Sequence, residues 1–134
     1  MGDTFYNLRD QKNIDKIREI CALLPDFVTE FIVSIQLRTT ALTRLGYVGD
    51  VRIFFNYLIK NNFRDYQSEK NITIDDLATL KAYDIELFLD YLSSYYIDGK
   101  HCKCGVEAKE RKLSSLRSFF KFLYRHDKLK ENIT

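Results

Sequence analysis

Apolar residues recur every three or four positions through most of the chain, which is the spacing of one face of an α-helix. The first such stripe predicts a helix over residues 12–24. Pro25 suits the first position of a second helix, in which Phe27, Phe31 and Ile35 would share one face. With only five glycines and one proline in 134 residues, the pattern favours helices over a turn-rich β fold.

A long helix is predicted over residues 40–61, because Thr39 and Thr40 are good N-cap residues and an apolar stripe follows them. Gly46 and Gly49 lie within this helix and leave one patch of it without side chains. Such a patch permits close approach, and we expect a neighbouring helix there more than a ligand backbone.

The middle of the chain is less regular. Residues 63–74 are predicted to form a polar loop, and Thr73 with Asp76 resembles a capping box ahead of a short helix over residues 74–80. Asp84 is predicted to cap an amphipathic helix that follows.

Residues 98–105, bounded by glycines, are predicted to form a loop before a last helix over residues 106–125. The apolar stripe of that helix is formed by Leu113, Leu116, Phe120 and Leu123. Basic and hydroxyl side chains are expected largely away from the stripe: Lys109, Arg111, Lys112, Ser115, Ser118 and Lys121. The whole pattern predicts an all-α bundle of four or five helices.

Charge is distributed unevenly along the chain, although its net value is only +2. Residues 36–64 hold five Lys/Arg against one acid, residues 75–98 one lysine against six acids, and residues 106–130 eight Lys/Arg against three acids. Two basic segments on a shared face would form a polyanion site. A solvated surface of mixed charge is the alternative.

Candidate chemistry elsewhere is sparse. Three cysteines, two of them one residue apart, make a poor disulfide framework and favour a reducing, cytoplasmic setting. His101, Cys102 and Cys104 are possible zinc ligands, but no second ligand pair accompanies them, so we predict no metal. The sequence holds no glycine-rich phosphate loop and no nucleophile elbow, and no apolar run approaches the length of a membrane span. We therefore predict no cofactor, no active site and no membrane association for this chain.

The two basic helices are better suited to duplex DNA. Lys and Arg neutralise backbone phosphates and release counterions, and Ser and Thr hydroxyls add hydrogen bonds to phosphate. A helix fits the major groove, where arginine can recognise guanine.

Three segments resemble the N-terminal domain of tyrosine recombinases, the phage integrase family of mobile elements. TTALTRLGYVGDVRIFFNYLIKNN resembles the long helix that opens this domain, and ITIDDLATLKAYDIELFLDYLSSY resembles its next element. RKLSSLRSFFKFLYRHDKLKEN resembles its last helix. The three occur in the family's order over residues 25–132, although the Asn-Pro expected after the last helix is replaced by Asn132-Ile133.

The resemblance implies a SAM-like core-binding domain over residues 25–132, with residues 1–24 as an extension that holds one helix. It implies that this fragment is not itself an enzyme, because the catalytic domain with the family's tyrosine nucleophile is absent from this chain. The implied partners are double-stranded DNA at the recombination site and other recombinase protomers.

By position, the resemblance gives nine DNA-contact candidates: Thr39, Thr40, Arg44, Tyr47, Lys109, Arg111, Lys112, Ser115 and Lys121. Ser114, Arg117 and Ser118 are further possibilities. The alternative function is a helical protein-interaction domain without a nucleic-acid role, in which the acidic and basic segments of two copies would pair.

Overall fold

Helices account for most of residues 3–61 and 63–134, the part of the chain that the computed structural model describes. The described helices are α1 (Asp3–Cys21), α2 (Asp26–Ser34), α3 (Ala41–Lys60), α4 (Ile74–Ala78), α5 (Ala82–Tyr91) and α6 (Val106–Arg125). Two 3₁₀ turns, Phe63–Asp65 and Glu69–Asn71, link α3 to α4, and two short strands, β1 (Tyr95–Ile97) and β2 (Lys100–Cys102), lie between α5 and α6. The all-α prediction is confirmed.

The predicted caps of α3 and α4 are present. Thr40 precedes α3, and its side-chain oxygen accepts a hydrogen bond from the Thr43 amide at 3.1 Å. Thr73 and Asp76 form the reciprocal capping box that their spacing predicts. Local sequence therefore fixes where these two helices begin.

Asp84 does not precede α5 as predicted. It is the third residue of the helix, and its carboxylate accepts a hydrogen bond from the Lys81 amide at 2.7 Å. Asp84, within the first turn, therefore provides a hydrogen-bond acceptor for a backbone amide that has no partner in the helix.

The predicted loop over residues 98–105 is wrong in part, because it contains the turn and second strand of an antiparallel hairpin. Tyr95 pairs with Cys102, and Ile97 pairs with Lys100. Both turn residues have positive φ, 52° at Asp98 and 74° at Gly99. Asp-Gly is favoured in such a two-residue turn because glycine and aspartate tolerate this conformation.

The core lies where α2, α3, α5 and α6 meet, and phenylalanine dominates it. Phe31 packs edge-on against Phe119 with ring centroids 5.5 Å apart, and Phe54 packs edge-on against Phe88 at 5.0 Å. These four rings are almost fully buried. They join α3 and α6 to the other helices through one continuous aromatic cluster.

Helix α1 begins nine residues earlier than predicted and packs against α3 within the same chain. Ile17 buries its side chain in the common core. The N-terminal helix is therefore part of this bundle.

The two glycines of α3 do not mark a helix contact, so the expected packing role is wrong. A Cβ atom built at Gly46 or Gly49 would meet no atom within 4 Å. The bare patch instead faces open space.

Candidate nucleic-acid interface

The two basic helices pack side by side and leave a shallow groove of about 290 Å³ between them. This α3–α6 groove is lined by Leu42, Thr43, Gly46, Tyr47 and Asp50 from α3, and by Arg111, Ser114 and Ser115 from α6. The groove is open to solvent, because Leu42, Thr43, Gly46, Arg111 and Ser114 are all exposed.

A buried ionic cluster lies beneath the groove and joins its two walls. Asp50 is 4% exposed, and its carboxylate accepts hydrogen bonds from Lys112 Nζ at 3.0 Å and Ser115 Oγ at 2.7 Å. Arg111 adds a longer contact of 3.5 Å from its guanidinium. We call these four residues the Asp50 cluster.

The expectation that Lys112 and Ser115 lie away from the core is wrong. They are 6% and 4% exposed, and both side chains point to Asp50 on the neighbouring helix. Residues three apart share a helix face, and here that face is turned towards α3. Because a buried charge needs a partner, Lys112 neutralises Asp50 inside the protein.

Arg111 belongs to the Asp50 cluster and also lines the α3–α6 groove. Its side chain is 65% exposed while its guanidinium still reaches Asp50. Four of its five N–H donors can therefore remain available to a ligand at the mouth of the groove.

Arg44 and Thr39 stabilise the connection between α2 and α3. The Arg44 guanidinium donates to the carbonyl oxygens of Thr39 at 2.8 Å and Gln36 at 3.2 Å, and the Thr39 hydroxyl donates to the Ile35 carbonyl at 2.5 Å. Tyr47 packs its ring edge-on against Phe31, with centroids 6.0 Å apart, and presents its other side to the groove.

Lys109 lies on another side of α6. Its Nζ donates to Ser93 Oγ at 2.7 Å, near the end of α5. Residues two apart on a helix diverge by about 160°, so Lys109 and Arg111 cannot share the groove.

Lys121 lines a second opening, near the C-terminal end of α6. This basic cleft also has a volume of about 290 Å³, and it is lined by Ser34, Arg38, Ser118, Lys121, Phe122, Arg125 and His126. Arg38, Arg125 and His126 were not among the predicted contacts. Of these three, only Arg125 has a signal in the sequence, because it continues a stripe with helical spacing along α6, formed by Arg111, Ser114, Ser118, Lys121 and Arg125.

One further basic residue of α3 has an internal partner. Arg52 donates two hydrogen bonds, of 2.8 and 2.7 Å, to the carboxylate of Asp98 in the hairpin turn. These hydrogen bonds and the arginine charge hold the pKa of Asp98 below its usual value. Lys60 donates to the Tyr96 carbonyl, so α3 contacts the hairpin at two points.

The residues considered as zinc ligands do not converge. His101 shares a hydrogen bond of 2.7 Å with Ser94, and all three cysteines are free and partly buried. In the described residues, no three His, Cys, Asp or Glu side chains group as metal ligands would. A search of the same residues finds no helix with the length and apolar character needed to cross a membrane.

Comparison with known proteins gives relatives of one kind. Tyrosine recombinase XerS of Streptococcus uberis is 29% identical over 120 residues, which cover 87% of this chain and 34% of the relative. XerS of Streptococcus thermophilus is 32% identical over 114 residues, covering 82% and 32%, and XerS of Streptococcus mutans is 28% identical over 120 residues, covering 87% and 34%. The chain thus spans about a third of the length of these relatives.

No family model matches the chain, and no solved structure matches it significantly. The similarity to XerS proteins supports the tyrosine recombinase family.

Proposed function

We propose that this chain is the DNA-binding, core-binding module of a site-specific tyrosine recombinase and that it grips duplex DNA at the recombination site. The similarity to XerS proteins supports this function, and the open α3–α6 groove with its exposed arginine carries it. In the full-length protein, strand exchange through a tyrosine nucleophile would belong to another domain, and further protomers would be partners.

The α6 stripe has the dimensions of a DNA contact. Arg125 lies fourteen positions after Arg111, which places them about 21 Å apart along the helix axis. Along one DNA strand this length corresponds to roughly six base pairs. Glu107 lies on the same side in the first turn of α6, so the positive stripe ends there.

The groove itself offers complementary groups. Arg111 can donate to a phosphate or to guanine, and the exposed hydroxyls of Thr43 and Ser114 can hydrogen-bond phosphate oxygens. Gly46 lets a nucleic-acid backbone approach α3 closely because no side chain projects there. The Asp50 cluster would fix the separation of the two helices beneath the contacts.

This proposal revises the contact set. Lys112, Ser115 and Lys109 have partners within the protein, so we assign them structural roles. The groove contacts that we propose are Thr43, Tyr47, Arg111 and Ser114, whereas Thr40 caps α3.

Fluorescence anisotropy with a labelled duplex tests the proposal. Arg111→Gln should weaken binding about tenfold and lower the salt slope by about one, because a charged contact is removed. Arg18→Gln is the matched control, since Arg18 is exposed on α1 and lines neither the groove nor the basic cleft.

Equal binding by both variants between about 50 and 200 mM salt would contradict the groove assignment. Salt-sensitive self-association in sedimentation, without duplex binding by the parent chain, would instead support a helical protein-interaction domain.

A further inference from the structure

We infer that the basic cleft is a phosphate-binding pocket, whose ligand is one backbone phosphate of duplex DNA. The inference rests on the proposed function for the identity of the ligand, whereas the pocket itself rests on its own geometry. The two can therefore fail separately.

Two parts of the chain build the pocket. Helix α6 supplies Ser118, Lys121 and Arg125 from successive turns on one side. The end of α2 and the segment after it supply Ser34 and Arg38. Residues far apart in sequence thus bring three permanent positive charges around one cavity of about 290 Å³.

No acid balances these charges in the described part of the chain. Arg38, Lys121 and Arg125 are exposed, and no carboxylate there lies within ion-pair distance of them. Glu30, an acid of α2, pairs with Lys128 at 3.1 Å. Mutual repulsion of unbalanced cations favours a site that binds an anion.

The helix dipole explains only part of this arrangement. A basic residue in the last turn of a helix interacts favourably with its C-terminus, which accounts for Arg125. Arg38 is outside α6 and gains nothing from that turn, yet it borders the same cavity. Its position calls for a shared ligand.

The floor of the pocket is ordered by aromatic contacts. His126 packs against Phe122 with ring centroids 4.4 Å apart, and Phe122 packs against Phe31 at 5.6 Å. The His126 amide also donates to the Phe122 carbonyl at 3.0 Å. Residues on a packed aromatic floor lose less freedom when they bind a ligand.

Phosphate is the anion that fits these groups. Arginine presents a planar fork of N–H donors that matches phosphate oxygens, and two arginines and a lysine can surround one phosphate. A free phosphate and a DNA phosphodiester share this chemistry. The α6 stripe runs from the α3–α6 groove into the cleft through Ser118, which favours a continuous duplex as the source.

The test uses the whole chain with the pair Arg38→Gln and Arg125→Gln, both exposed, and with Arg18→Gln and Lys103→Gln as a control of equal charge. The probes are a labelled duplex in anisotropy titrations and inorganic phosphate in an NMR titration. Thermal unfolding of each variant checks that the fold is intact.

We expect the cleft variant to bind duplex about tenfold more weakly with a salt slope lowered by about one, while the control binds as the parent does. Unchanged duplex binding by the cleft variant, with loss on Arg111→Gln, would overturn the pocket and leave the proposed function intact.

If the parent binds no duplex but phosphate shifts the amide signals of Ser118 and His126 in the parent alone, the pocket stands and DNA as its ligand is overturned, together with the proposed function. If neither probe binds the parent, both proposals are overturned.

Discussion

The two ends of helix α6 hold similar residues in opposite situations. At the first, Lys112 and Ser115 lie beneath the α3–α6 groove and bind Asp50, which is nearly inaccessible to solvent. At the second, Lys121 and Arg125 face Arg38 across an open cleft that no described carboxylate enters. The charge of Lys112 is balanced by Asp50 inside the protein, whereas the charges of Lys121 and Arg125 remain available to a ligand.

The difference depends on the neighbouring helix more than on α6 itself. Lys112 has a structural role because Asp50 on α3 lies next to it. Lys121 instead lines a cleft, because its neighbour after α2 is the basic residue Arg38. A basic helix face therefore cannot be equated with a binding surface until its neighbours are known. The following substitutions test this contrast, from the largest expected effect to the smallest.

Asp50→Ala should destabilise the protein by about 3–5 kcal/mol, because it leaves the Lys112 ammonium buried without its counter-charge. Urea unfolding followed by circular dichroism measures the change. Glu110→Ala, an exposed acid on α6, is the control and should change stability by less than about 0.5 kcal/mol. Similar midpoints for the two variants would show that Asp50 is not an internal counter-charge.

Lys112→Ala should lower the free energy of unfolding by about 2–3 kcal/mol. The loss is smaller than for Asp50→Ala because Ser115 still donates to Asp50 and exposed Arg111 can move closer. Arg111→Ala, one residue away, should leave stability within about 0.5 kcal/mol of the parent. The same urea series measures both. A larger loss on Arg111→Ala than on Lys112→Ala would reverse the structural assignment of these neighbours.

Ser115→Ala should lower the free energy of unfolding by about 1–2 kcal/mol, because one hydrogen bond to the buried carboxylate of Asp50 is lost while the ion pair with Lys112 remains. Ser114→Ala, at an exposed position, should have little effect on the unfolding midpoint. Equal stability of the two variants would mean that the Ser115 hydroxyl does not contribute to the cluster.

The exposed ion pair between Arg52 and Asp98 serves as the comparison. Asp98→Asn removes it and should lower the free energy of unfolding by only about 0.2–1 kcal/mol at neutral pH. Asparagine tolerates the positive φ at this position, so the backbone should not add strain. Because the pKa of Asp98 is lowered in the folded state, its contribution is present above the unfolded pKa and is lost as the pH falls through the folded one.

The stability difference between Asp98→Asn and the parent should accordingly vanish in acid, which urea unfolding at several pH values would detect. A difference that persists at low pH would assign the effect to something other than the charge of Asp98.

Much of the fold could be predicted because local signals decide it. The last helix has the predicted limits, and Thr40 and the Thr73–Asp76 box mark helix starts through hydrogen bonds within one turn. The hairpin was missed although Asp98-Gly99 is a strong turn signal, because its strands are only three residues long.

The candidate site was harder to predict because its residues are selected by contacts between helices. The apolar stripe of α6 left Lys112 and Ser115 on a seemingly polar side, and only their partner on α3 shows that this side is buried. Asp50 is nevertheless the one acid in residues 36–64, and this is the feature of the sequence that distinguishes it. The convergence of Arg38 with Arg125 left no comparable local signal.

The bare patch of α3 has a consequence for engineering. Glycine costs about 1 kcal/mol relative to alanine inside a helix, and neither Gly46 nor Gly49 has a neighbour that would obstruct a methyl group. The two positions differ in their relation to the α3–α6 groove, because Gly46 lines it and Gly49 does not. Gly49 is therefore the place to make this helix more rigid, since a methyl group there leaves the groove at its full width.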